Sequence, residues 1–135
     1  MIALDVTVLV RYLAQDDAVQ SPLATAFIEE QLSAQHPGFV SCLALAQLHA
    51  VLTRHYGVDR QRFADIARGL LSAQALRFDD VQAAWNALQA FEDGFDFSAT
   101  LLAELAAAAG CEAILTFDPQ LARHPKARLL APASA

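Results

Sequence analysis

The sequence predicts an α/β protein whose parallel sheet is covered by helices on both faces. Three observations predict it. Short apolar runs alternate with longer segments of helical period along the whole chain. The runs are too apolar to leave one sheet face in water, the mark of parallel strands joined by helices. The chain has 135 residues, 56% apolar and 18% charged, which suits one domain, 1–135, with its own core.

Ile2–Asp5 is the first strand candidate and leads directly into a helix at Val6–Leu13. Pro22 suits the first turn of the next helix, which continues through Ala24–Leu32 with Phe27, Ile28 and Leu32 on one side. His36-Pro37-Gly38 breaks it, and Gly38–Ser41 is a second strand. Ala44, Leu48, Val51 and Leu52 form the i, i+4, i+7, i+8 stripe of an amphipathic helix that Gly57 ends. Arg60–Ser72 is a helix, Ala75–Phe78 a third strand, and Val81–Phe91 a helix with Trp85, Leu88 and Phe91 in register. Ser98–Ala109 is an alanine-rich helix closed by Gly110, the residue expected just past a helix end. Glu112–Phe117 is a fourth strand and Ala127–Leu130 a fifth.

Composition removes several function classes. An apolar content this high excludes intrinsic disorder. Nine basic against fifteen acidic residues, a net charge of −6, argue against a broad basic surface for nucleic acid. The uncharged stretch from Gly38 to Thr53 is shorter than the ~20 residues a spanning helix needs, so no membrane segment is expected. The N-terminal MIALDVTVLVRYL carries Asp5 inside its apolar run and no basic segment before it, which reads as structure and not as a signal peptide. Cys42 and Cys111 lack metal or redox spacing and are expected as two buried free thiols of a cytosolic protein.

In parallel sheets, ligands bind at the carboxyl ends of the strands. Asp5 ends the first strand candidate, Asp118 ends the fourth, and Asp96 stands between Phe95 and Phe97 at the start of the alanine-rich helix. Converging carboxylates suit hard cations such as Mg²⁺ or Mn²⁺, which activate water and stabilise the leaving oxygen in phosphodiester cleavage. Each acid also has a second reading as a helix cap, and Asp118 followed by Pro119 matches an N-cap with proline at the first helical position. Periodicity goes no further than these two readings.

Four blocks carry a family resemblance: Met1–Leu13 with Gln15-Asp16-Asp17 after it; Gly38-Phe39-Val40-Ser41 leading to Leu48, Val51 and Leu52; Gly94-Phe95-Asp96-Phe97 followed by Leu101-Leu102-Ala103; and Gly110-Cys111 through Thr116-Phe117-Asp118. In this order the chain resembles PIN-domain proteins, specifically VapC-type toxin ribonucleases. The resemblance implies a three-layer α/β/α fold on a parallel sheet of about five strands. It also implies a homodimer, a cytoplasmic location, an acidic cluster holding Mg²⁺ or Mn²⁺ for RNA cleavage, and a small antitoxin as partner. On that basis Asp5, Asp96 and Asp118 are the metal and catalytic acids, with Thr116 assisting.

The departures fall on the chemistry. The family's first block usually reads Asp-Thr-Asn, and here Thr7 stands in place of the Asn. Gln47 replaces a Glu in the second block and Ala99 replaces an Asp in the third. Gln47 keeps the shape of Glu without its charge, and Ala99 removes a ligand one helical turn from Asp96. A carboxylate about 4 Å from a cation contributes several kcal/mol even at an effective dielectric near 20, so weak or absent metal binding and feeble cleavage are expected. Gln47, between Ala44 and Val51, is expected on the buried stripe, where a neutral amide is easier to hold than a carboxylate without its metal. The alternative from another class is a non-catalytic PIN-like binding protein that engages an antitoxin, a PIN partner or RNA.

Other constellations are weaker. His36, His49, His55 and His124 have no ligand spacing and read as surface or capping residues. Arg54, Arg60, Arg62, Arg68 and Arg77 form the densest basic region, diluted by Asp59, Asp65, Asp79 and Asp80 into a solvated face. Neither Ser41 nor Cys42 has an evident His-acid partner, and no glycine-rich phosphate loop occurs. A phosphotransfer receiver would want a late lysine, and the only lysine, Lys126, precedes the last strand candidate.

Overall fold

The computed structural model describes residues 1–132 and divides into two compact units, Met1–Val81 and a second that begins at Gln82. The first contains β1 (Ile2–Ala3), α1 (Val6–Ala14), α2 (Gln20–Ala26), β2 (Gly38–Val40), α3 (Cys42–Tyr56), α4 (Arg60–Ser72) and β3 (Leu76–Phe78). Its strands are all parallel in the order β1-β2-β3, with Ala3 opposite Phe39 and Phe39 opposite Arg77. Leu9, Val40, Leu45, Leu48, Leu52, Phe63 and Ala67 are buried in this unit. Gly38 is buried against two leucines: a Cβ there would stand 2.9 Å from Leu32 Cδ1 and 3.2 Å from Leu4 Cδ1, so a side chain would have to push those leucine ends aside.

The strands stop where capping begins. Leu4 N–H still donates to Phe39 O across the sheet at 2.8 Å, but Asp5 turns its side chain to the N-terminus of α1. Ser41 does the same for α3, accepting from Ala44 N–H at 3.0 Å, so β2 ends one residue earlier than its apolar run suggests. Asp59 caps α4 through Arg62 N–H at 2.8 Å. The helix expected over Ala24–Leu32 is not uniform: α2 ends at Ala26 and a π-helical turn, Phe27–Gln31, completes it. A wider turn of this kind is invisible to 3.6-residue periodicity.

The second unit contains α5 (Val81–Glu92), α6 (Phe97–Ala108), β4 (Ile114–Thr116) and β5 (Ala127–Leu129), with a 3₁₀ turn at Leu121–Arg123. β4 and β5 pair in parallel, with Ile114 opposite Ala127 and Thr116 opposite Leu129. The five expected strands are therefore present among the described residues, hydrogen-bonded as a three-stranded and a two-stranded parallel sheet. Ala84, Ala87, Leu88, Phe91, Phe97, Leu101 and Ala103 are buried, and the rings of Phe91 and Phe97 meet edge to face at 6.1 Å. Gly110 ends α6 with φ 96°: its N–H reaches Ala107 O at 3.0 Å and Cys111 N–H reaches Ala106 O at 3.0 Å. These are the paired bonds of a left-handed helix stop, which glycine adopts without steric cost.

Glu104, on α6, is 6% exposed and is the one buried carboxylate among the described residues. Its Oε2 accepts from Lys126 Nζ at 2.5 Å and from Asn86 Nδ2 at 3.3 Å, and its Oε1 lies 4.0 Å from His124 Nε2. His124 was expected at the surface or in a cap; it is buried, with the ring of Phe95 edge-on at 5.2 Å and its Nδ1 accepting from Lys126 N–H. A buried carboxylate needs such donors, and Lys126 and, from α5, Asn86 supply them.

Candidate functional site

Asp5 is solvent-exposed at the end of β1 and serves as the N-cap of α1. Its Oδ2 accepts the hydroxyl of Thr7 at 2.6 Å and the Thr7 N–H at 3.3 Å. These bonds, the hydroxyl first, hold the Asp5 carboxyl below its ordinary pKa. Thr7 is thus in direct contact with the first acid, not merely a departure two residues along. Register places Ser41, two residues past Phe39, and Asp79, two past Arg77, at the same carboxyl edge of this sheet as Asp5.

Asp79 is the residue of this edge that the sequence reading passed over as dilution of a basic run. It accepts Cys42 N–H at 2.8 Å and so closes the start of α3 beside Ser41. Burial pushes its pKa up, but the hydrogen bonds from the Cys42 thiol and N–H outweigh that and the net shift is downward. Burial, with Asp79 next to it, pushes the Cys42 thiol up to about 12, so this buried cysteine is no nucleophile. Cys111 departs from expectation: it is exposed, because it follows the left-handed stop at Gly110 and precedes β4.

Gln47 also departs from expectation. It lies on α3 but is exposed, while Ala44, Leu45, Leu48 and Leu52 form the buried stripe. The stripe is set by Leu45 and Leu48, which turn the helix so that position 47 falls outside it. The amide was therefore not kept for ease of burial.

In the second unit, Asp96 is exposed and is the N-cap of α6, its Oδ2 accepting Ala99 N–H at 2.9 Å. Position 99 presents only a methyl group one turn into the helix. Asp118 is exposed, and its N–H donates to Thr116 Oγ1 at 3.0 Å while its Oδ1 accepts Gln120 N–H at 3.0 Å. The expected α-helix starting at Pro119 is instead the 3₁₀ turn beginning at Leu121, so Asp118 caps a turn. The structure thus shows three local groupings: Asp5 with Thr7, Asp96 with Ala99, and Thr116 with Asp118.

Asp5, Asp96 and Asp118 are exposed carboxylates, the ligand type that hard divalent cations take, and none of them forms an ion pair among the described residues. Among those residues no three His, Cys, Asp or Glu side chains come together as a metal-holding group. The basic region is largely engaged locally: Arg68 pairs with Asp65 at 3.2 Å, and Arg77 donates to the carbonyls of Gln74, Leu76 and Ala34. Among the described residues, no helix is long and apolar enough to cross a membrane.

The PIN domain family model matches residues 2–127, across both units and all four sequence blocks. The chain belongs to the PIN domain family. That membership agrees with the α/β class and parallel strands of the structure and places this PIN domain in a generally nuclease-like family whose members typically use a divalent metal. No curated protein and no solved structure gives a significant match to it.

Proposed function

We propose that this PIN domain is a VapC-type toxin ribonuclease by descent, with metal-dependent cleavage of RNA weakened or lost through Gln47 and Ala99. The observation that carries the reading is at the start of α6. Asp96 is turned back onto its own helix, bonding the N–H of residue 99, and residue 99 offers no carboxylate. On this reading residues 1–135 act as one domain, and Asp5, Asp96 and Asp118 would hold Mg²⁺ or Mn²⁺. A bound divalent ion would supply an activated water and charge stabilisation at the leaving oxygen. The Thr7 hydrogen bonds favour the charged form of Asp5, and Thr116 Oγ1 accepts the N–H of Asp118. Exposed Gln47 can position substrate or water but has no charge to give. The same reading carries a cytoplasmic homodimer and a small antitoxin as partner.

The test is cleavage of structured RNA with Mn²⁺ by the natural protein, by Gln47→Glu with Ala99→Asp, and by that double variant carrying Asp5→Ala. Both restorations are structurally permitted: position 47 is exposed, and position 99 is in the first turn of α6, where an acid favours the helix. Cleavage near background in the natural protein, at least ~100-fold faster in the double variant and abolished by Asp5→Ala, is expected from the recovered charge–cation attraction. Natural protein that already cleaves as fast as the double variant, or binds Mn²⁺ in the low micromolar range by calorimetry, overturns the proposal. RNA binding without cleavage in all three proteins would favour the non-catalytic alternative.

A further inference from the structure

Phe117 directly follows β4 and is 78% exposed, while no other phenylalanine and no tryptophan among the described residues is exposed. Side chains alternate along a strand, so Phe117 falls on the same face as Leu115. The register sets Arg128 opposite Leu115. Leu130, whose N–H donates to Thr116 O at 2.9 Å, continues β5 beside Phe117. All four side chains are exposed, which makes an apolar ledge with a guanidinium at one end. Contiguous apolar surface of this kind marks an interaction site.

Charge selects the partner. Of the second unit's basic residues, Lys126 is held by Glu104, whereas Arg123 and Arg128 are exposed and form no ion pair among the described residues. With fifteen acidic residues against nine basic, this chain has no broad basic surface on which to hold a phosphate backbone. Affinity for RNA then has to come from stacking on a ring, supported by a few phosphate contacts. The Phe117 ring and the Asp118 carboxylate hang from neighbouring Cα atoms, about 3.8 Å apart, so one nucleotide can reach both.

We infer that Phe117 is the stacking platform for an unpaired RNA base, with Arg128 holding a neighbouring phosphate. The inference rests on the reading of this domain as one that binds RNA, and it holds whether or not cleavage survives. It specifies a single-stranded stretch, because a base inside a duplex is already stacked on both faces and offers none to a side chain.

The experiment measures binding of a single-stranded RNA of about 12 nucleotides carrying 2-aminopurine, by anisotropy in EDTA so that cleavage does not enter. Natural protein is compared with Phe117→Ala, Phe117→Tyr and Arg128→Gln over a range of salt concentrations. Phe117→Ala should bind about 10-fold more weakly with an unchanged salt slope and should lose the quenching of 2-aminopurine, while Phe117→Tyr stays within about 2-fold of the natural protein. Arg128→Gln should make the slope of log affinity against log salt shallower by about 0.7, the loss of one phosphate contact. Phe117 is exposed, so its variants should keep the natural fold, which circular dichroism checks. RNA bound equally well by natural protein and Phe117→Ala overturns the inference and leaves the RNA reading standing, as does equal affinity for a duplex of the same sequence. A natural protein that binds no RNA removes the RNA reading and the inference together. A dimer in sedimentation that Phe117→Ala dissociates, with RNA affinity unchanged, makes the ledge a face between copies and likewise overturns it.

Discussion

Removing Lys126 tests how the second unit tolerates its buried carboxylate. Lys126→Met keeps most of the side-chain volume and deletes the charge that faces Glu104 Oε2 at 2.5 Å. Taking one partner from a buried ion pair costs roughly 3–5 kcal/mol, because the other charge stays desolvated and unanswered. Two features of this pair reduce the figure. The Lys126 side chain is 41% exposed, so water reaches its end of the pair, and Asn86 Nδ2 still donates to Glu104 Oε2. A loss of about 2–3 kcal/mol follows, a fall in Tm of roughly 10 °C for a chain this size. Thermal and urea unfolding of Lys126→Met, Glu104→Gln and the double variant would measure it. Glu104→Gln removes the charge that needs compensation, so adding Lys126→Met to it should cost at least about 1 kcal/mol less than in the natural background. Strict additivity of the two changes, or a Lys126→Met protein within about 0.5 kcal/mol of the natural one, would refute the account of Glu104 as a charge that depends on its partner.

Three other outcomes are expected. Gly69→Ala places a methyl in open space on α4, where nothing beyond the adjoining turn of its own helix lies within 4 Å of the new Cβ, and should stabilise the protein by about 1 kcal/mol in urea unfolding. Asp79 has a folded pKa below its unfolded value, so the stability it contributes is present above about pH 4 and is lost as pH falls through the folded pKa; Asp79→Asn should flatten the acid limb of a Tm-against-pH curve. A thiol reagent at neutral pH should label Cys111 rapidly in the folded protein and Cys42 only on unfolding, as mass spectrometry of the labelled peptides would show.

The features legible in the sequence are those set within a few residues. Arg60–Ser72 is helical over its expected span, and Gly57 and Gly110 end helices where the sequence puts them, because their signals lie within one turn of the residues they affect. The capping readings of Asp5 and Asp96 were legible for the same reason: each bonds an N–H two or three residues away. The Thr7 hydroxyl bond to Asp5 is equally local, spanning two residues in Asp5-Val6-Thr7.

The α/β class, the order of strands and helices, the starts of α1 and α4 and the family to which the chain belongs can all be read from neighbouring residues. Packing between distant segments sets the strand pairing as three and two, leaves Gln47 and Cys111 in solvent, and brings His124 and Lys126 to Glu104 from about 20 residues away along the chain. Range separates the two. A cap or a helix stop is won by bonds between near neighbours, whereas strand partners and the burial of a charge depend on which distant groups come within hydrogen-bond reach.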